Sequence, residues 1–111
     1  MKKDLSLGFG STCIHAGMHH NEHRSHLTPL YASSTYLFDS AEQAVDLFTG
    51  KEKGYVYARF GNPTITEVEE KIAALETYKL CNDDGSPIQA KAILHASGMA
   101  AINTLVLSNV K

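Results

Sequence analysis

The sequence predicts an α/β fold, on three observations. Residues 92–96 form an apolar run broken only by His95, too short for a helix and long enough for an inner strand. Ser97-Gly98 punctuates that run, and residues 99–107 then carry apolar side chains on nearly every side, as a buried helix would. Upstream, Ile65, Val68, Ile72 and Leu75 step by 3, 4 and 3, the stripe of an amphipathic helix expected to face a core.

The 111 residues suit one modest domain. With 43% hydrophobic and 20% charged residues the composition is that of an ordinary soluble protein. A net charge of −2 offers no electrostatic footprint for nucleic acid or an anionic membrane. No apolar run reaches the roughly 18 residues of a membrane span. Met1-Lys2-Lys3-Asp4 has no following apolar segment, so no secretion signal is read there. Cys13 and Cys81 lack CxxC spacing and read as reduced thiols, which suits a cytoplasmic protein. Val110-Lys111 follows the last predicted helix without a cap, so the chain is expected to be the front of something longer.

In chain order, residues 1–35 show no sustained period and are expected to lack regular structure. Leu5, Leu7, Phe9, Ile14, Leu27, Leu30 and Tyr31 make this stretch too apolar for a disordered tail, so it reads as an arm that packs on another chain. His19, His23 and His26 would share a face on a helix, which is metal-ligand spacing. Asn21, Ser25 and Pro29 argue for a solvated loop instead, and no metal is assigned. Pro29 begins an extended stretch. Ser40-x-x-Gln43 has capping-box spacing and opens a short helix near residues 41–49, with Ala41, Ala44, Val45 and Phe48 on one face and Gly50 ending it. Thr64-x-x-Glu67 is a second capping box, opening the amphipathic helix. Residues 80–89 contain Asn82-Asp83-Asp84-Gly85-Ser86-Pro87 and read as a turn-rich loop.

Two stretches carry candidate chemistry. Tyr55, Tyr57 and Arg59 alternate, so in an extended chain they project to one side. A phenol and a guanidinium two residues apart can clamp an oxyanion such as phosphate. The same spacing also fits an edge strand whose Tyr and Arg only cover a surface. At Ser97-Gly98-Met99, a strand entering a helix leaves free N–H groups at the positive end of the helix dipole, a ready anion site. Gly98 would let the backbone approach a ligand closely. Strand, Ser-Gly and helix also occur together where nothing binds.

These motifs together resemble the Cys/Met-metabolism, or transsulfuration, family of pyridoxal-phosphate enzymes. Its members include cystathionine γ-synthase, cystathionine lyases, methionine γ-lyase and O-acylhomoserine sulfhydrylases. The resemblance runs in order through Thr12-Cys13-Ile14-His15-Ala16-Gly17, Pro29-Leu30-Tyr31-Ala32-Ser33-Ser34-Thr35-Tyr36, residues 54–64, Leu75-Glu76 and Ala96-Ser97-Gly98-Met99-Ala100-Ala101-Ile102. It implies a fold-type I (aspartate-aminotransferase-like) enzyme with pyridoxal 5'-phosphate as cofactor. Residues 1–62 would be an N-terminal intersubunit arm, and residues 63–111 the incomplete start of the large, mostly parallel-sheet domain.

The resemblance also implies roles. Ser97, Gly98 and Met99 would bind the cofactor phosphate in their own subunit, while Tyr57 and Arg59 would reach that of a neighbour. Tyr57 would also have an acid–base role there. The implied reaction is β/γ-elimination or γ-replacement on sulfur amino acids or O-acylhomoserine, in a homodimer or homotetramer with shared active sites. The chain departs from the family pattern at Ala58, where Ser is usual, and in a longer loop over residues 77–89. No lysine among Lys2, Lys3, Lys51, Lys53, Lys71, Lys79, Lys91 and Lys111 has the Ser-x-Thr context of the Schiff-base lysine. Alone, the chain is therefore expected to be inactive. The alternative is a non-catalytic truncated chain that acts only in binding or oligomerisation.

Overall fold

A computed structural model describes residues 7–110. Leu5 and the Met1–Asp4 stretch lie outside the described residues. Among the described residues four helices follow in order: α1 (Phe9–His15), α2 (Ala41–Phe48), α3 (Pro63–Glu76) and α4 (Gly98–Asn109). The chain hangs on α3, and α3 begins at Asn62.

Asn62 has extended backbone, and its side-chain oxygen accepts the Thr64 N–H at 2.9 Å, satisfying an orphan donor of the first turn. Pro63 follows at the first helical position, where a missing N–H costs nothing. The cap therefore sits two residues before the Thr64 predicted for it. Thr64 is instead free to hold the preceding chain. Its hydroxyl accepts the Tyr31 N–H at 2.9 Å and donates to the Pro29 carbonyl at 3.4 Å. The Asn62 amide donates to the Tyr31 carbonyl at 2.8 Å. Asn62 is 7% exposed, so its own two bonds form largely out of water, where an unmade one is costly.

The start of the chain docks further along α3. Residues 9–15, expected to be irregular, form α1, which packs on α3. No side chain caps this seven-residue helix, so its stability comes from that docking rather than from local signals. Gly17 explains how close the approach is. It has φ +76, and a Cβ there would lie 2.4 Å from the Glu67 carbonyl oxygen. Around it, the Lys71 ammonium donates to the Ile14 carbonyl at 3.3 Å and the Tyr78 hydroxyl to the Leu7 carbonyl at 3.2 Å. The Phe9 and Tyr78 rings meet edge-on at 5.2 Å. His19 reaches Glu70 at 2.8 Å.

Ser40 caps α2 as the sequence predicts, but the Gln43 side chain reaches one residue further back than a capping box requires, to Asp39 rather than Ser40. Ser40 Oγ accepts the Gln43 N–H at 3.1 Å, and Gln43 Oε1 accepts the Asp39 N–H at 2.7 Å. Thr49 caps the C-terminus and Gly50 follows with φ +73. Ala44 and Leu47 turn inward, while Val45 and Phe48 of the predicted face stay exposed. Residues 80–89 close on themselves through an antiparallel bridge between Cys81 and Pro87, with Gly85 in the left-handed region.

Two expectations fail for one reason. Residues 92–96 join no ladder, because a strand needs a neighbour and none lies beside them among the described residues. Their tie to the fold is the Leu94 N–H, which donates to Glu69 Oε1 at 2.8 Å. The stripe on α3 is likewise not core: Ile65, Val68 and Ile72 are exposed, and no hydrophobic residue is buried among the described residues. α4, apolar around its circumference, packs on none of the other helices. The radius of gyration of 16.5 Å exceeds the roughly 13 Å of a folded domain of this length.

Tyr36 and Tyr55 pack with ring centroids 5.5 Å apart and planes tilted by 35°. The Tyr36 hydroxyl is shut off from water and has no well-formed hydrogen bond among the described residues, the Asn62 side chain being only a weak neighbour. That loss of water, and then the neighbouring Tyr55 and Tyr31 phenols, raise its pKa above the usual tyrosine value, against an opposing pull from the Asn62 amide. Because the folded chain resists deprotonating Tyr36, its contribution is intact below the unfolded pKa and is lost as pH rises through the folded one.

Two outcomes test this packing. Asn62→Ala is expected to lower stability by about 1–3 kcal/mol, read by urea unfolding, since it removes a cap and orphans the Tyr31 carbonyl. Tyr36→Phe is expected to lose less stability than the parent between about pH 8 and about pH 11. Equal losses across that range would remove Tyr36 as the cause.

Candidate functional site

The first candidate group is organised by a turn rather than a strand. Tyr57 pairs with Thr35 in an isolated antiparallel bridge, and the Ala58 N–H donates to the Ser34 carbonyl at 2.9 Å. The chain then reverses. The N–H groups of Phe60 and Gly61 both donate to the Tyr57 carbonyl, at 2.9 and 3.2 Å. The extended alternation predicted for Tyr55, Tyr57 and Arg59 is thus broken after Tyr57. Tyr55 leaves the group: it packs on Tyr36 and against Gly61, where a Cβ would lie 3.4 Å from its ring.

The turn nevertheless brings Tyr57 and Arg59 together. The Arg59 guanidinium carbon lies 5.2 Å from the Tyr57 ring centroid and 5.7 Å from that of Phe60. The two rings meet edge-on at 6.4 Å. No carboxylate, carbonyl or hydroxyl among the described residues accepts a hydrogen bond from Arg59, and it forms no ion pair. An exposed cation held by two rings, with all its donors unused, has the chemistry to receive an anion.

The second group is the start of α4. Ser97 has extended backbone and its Oγ accepts the Ala100 N–H at 3.1 Å, while its carbonyl accepts the Ala101 N–H at 3.1 Å. The Ser97 hydroxyl keeps its own proton to donate. The N–H groups of Gly98 and Met99 have no partner among the described residues. A Cβ at Gly98 would meet no atom within 4 Å, so no packing inside the chain calls for glycine there. Three donors thus stand at the positive end of a 12-residue helix. No hydrogen bond, ion pair or ring contact among the described residues joins this group to Tyr57 and Arg59.

The histidines do not assemble. Residues 18–30 are not helical, His19 is taken up by Glu70, His23 lies 3.4 Å from Glu22, and the His26 ring meets that of His15 at 6.4 Å. No three His, Cys, Asp or Glu among the described residues could hold a metal ion together. Cys13 and Cys81 are free and exposed. No described helix is long and apolar enough to cross a membrane.

Two residues that matter here escaped the sequence reading. Asn62 carries the cap and the hold on Tyr31; its signal was the Asn-Pro pair itself, a cap residue followed by the residue favoured at the first helical position. Phe60 touches both candidate side chains, and no local pattern announces it, because its partner comes from a turn closure.

Comparison with known proteins adds to this geometry. Residues 10–111 match the family model described as Cys/Met metabolism PLP-dependent enzyme. An L-methionine gamma-lyase of Treponema denticola is 49% identical over 90 residues, which cover 80% of this chain and 22% of that protein. A homocysteine/cysteine synthase of Saccharomyces cerevisiae is 44% identical over 90 residues, covering 77% of this chain and 20% of that protein. A Campylobacter jejuni crystal structure, described as an O-acetylhomoserine (thiol)-lyase with N'-pyridoxyl-lysine-5'-monophosphate, superposes with a TM-score of 0.75 at 26% identity, over 92% of this chain and 22% of that one. The chain spans about a fifth to a quarter of the length of these relatives.

Proposed function

The chain belongs to the Cys/Met-metabolism family of PLP-dependent enzymes, and from that premise we propose that it is the N-terminal segment of a transsulfuration enzyme. Its fold is the fold-type I α/β class and its cofactor is pyridoxal 5'-phosphate. The reaction proposed for the whole enzyme is β/γ-elimination or γ-replacement on a sulfur amino acid or an O-acylhomoserine, in the cytoplasm. Residues 1–62 form its intersubunit arm and residues 63–111 open the cofactor domain. The lysine that bears the cofactor belongs to a part of the enzyme outside this segment.

The observation that carries this reading is the pair of unused donor sets. The residues present fit a phosphate: Gly98 and Met99 offer unpartnered N–H groups, Ser97 offers a hydroxyl, and the space over Gly98 is open. Pyridoxal phosphate, when bound, supplies an electron sink for bonds broken at an amino acid's carbon. Ser97, Gly98 and Met99 bind and orient its phosphate within their own subunit. Arg59 adds a charged fork from a neighbouring subunit, and Tyr57 a phenol. The Tyr57 hydroxyl also holds or releases a proton beside the reacting amino acid. The two sets are proposed to serve different pockets of a homodimer or homotetramer with shared active sites.

Arg59→Ala in the full-length enzyme is expected to raise the cofactor dissociation constant about ten- to hundred-fold, read by titrating the apoenzyme with pyridoxal phosphate. Gly98→Pro removes one N–H where proline is tolerated in a helix, and is expected to weaken binding about ten-fold with helix content unchanged. An unaltered dissociation constant in both variants would overturn the reading.

A further inference from the structure

We propose that Phe60 is a positioning residue, which holds the Arg59 guanidinium ready for an anionic ligand before that ligand arrives. The inference rests on the anion-binding role given to Arg59 above.

Phe60 is 75% exposed, so its ring covers no core. What the ring does touch is specific. It lies 5.7 Å from the Arg59 guanidinium carbon and edge-on to Tyr57 at 6.4 Å, and Tyr57 holds the same guanidinium at 5.2 Å. The backbone builds this arrangement, since the Phe60 N–H donates to the Tyr57 carbonyl at 2.9 Å and folds residues 58–60 back toward that ring.

Aromatic rings attract the guanidinium charge without consuming any of its N–H donors. A free arginine side chain samples many rotamers, and a ligand that captures it must bear that loss of freedom. Two rings that already restrict it lower the cost of capture, which is preorganisation. Phe60 therefore acts on the ligand only through Arg59. A leucine at position 60 keeps an apolar side chain and the turn, but loses the ring that attracts the cation. A tyrosine keeps the ring.

The test is a double-mutant cycle in the full-length enzyme, with pyridoxal phosphate affinity of the apoenzyme as the readout. Phe60→Leu is expected to raise the dissociation constant about two- to five-fold. Phe60→Tyr is expected to leave it near the parent value. With Arg59→Ala already in place, Phe60→Leu is expected to add nothing. An unchanged constant in Phe60→Leu, or an equal loss in both backgrounds, would overturn the positioning role while the Arg59 reading stands. If Arg59→Ala itself leaves affinity unaltered, the anion-binding role falls and the role of Phe60 falls with it.

Discussion

The two bonds made by the Asn62 side chain hold the architecture together. Its oxygen starts α3 and its amide nitrogen holds the Tyr31 carbonyl, so one buried side chain joins a helix to a strand-like segment 31 residues earlier. Thr64 doubles the joint. From that point the path of the chain follows. Residues 31–36 run past Tyr57, their backbone pairs with it, and the turn at residues 57–60 closes where Arg59 can rest on two rings.

The rest of the packing is polar and thin. α1 and residues 16–19 meet α3 through Glu67, Glu70 and Lys71 and meet Tyr78 just beyond its end, with Gly17 making the near approach possible. The apolar stripe of α3 points away from that contact, and α4 offers an apolar surface all round. Burial of such faces is what ordinarily drives a domain to close, and it is missing among the described residues. Hydrogen bonds of roughly 1 kcal/mol net apiece do not replace it. The two donor sets share this openness: both are positioned by local backbone geometry, the cap at Ser97 and the turn after Tyr57, rather than by a surrounding core.

Local chemistry was largely legible in the residues. The Ser40 cap, the start of α4 at Ser97-Gly98 and the period of α3 all arise from interactions within about four residues, so the sequence states them directly. The Tyr57–Arg59 pairing was also anticipated, though by the wrong geometry: an extended alternation was expected, and a turn brings the two together while sending Tyr55 elsewhere. Where two signals overlapped, at Asn62-Pro63-Thr64, the spacing to Glu67 favoured Thr64. Proline's fitness for the first helical position decides for Asn62.

By itself the sequence determined which donors exist and where helices start: Ser97-Gly98-Met99 ahead of an apolar helix, a tyrosine and an arginine two residues apart, and the ordered run of motifs that marks the family. Tertiary structure alone decided that residues 9–15 are helical, that the Asn62 amide holds the Tyr31 carbonyl, that residues 92–96 stay without a ladder, and that Phe60 joins Arg59. The physical reason is range. Caps and periods depend on neighbours along the chain, whereas docking, strand pairing and ring contacts depend on partners that only the folded path brings near.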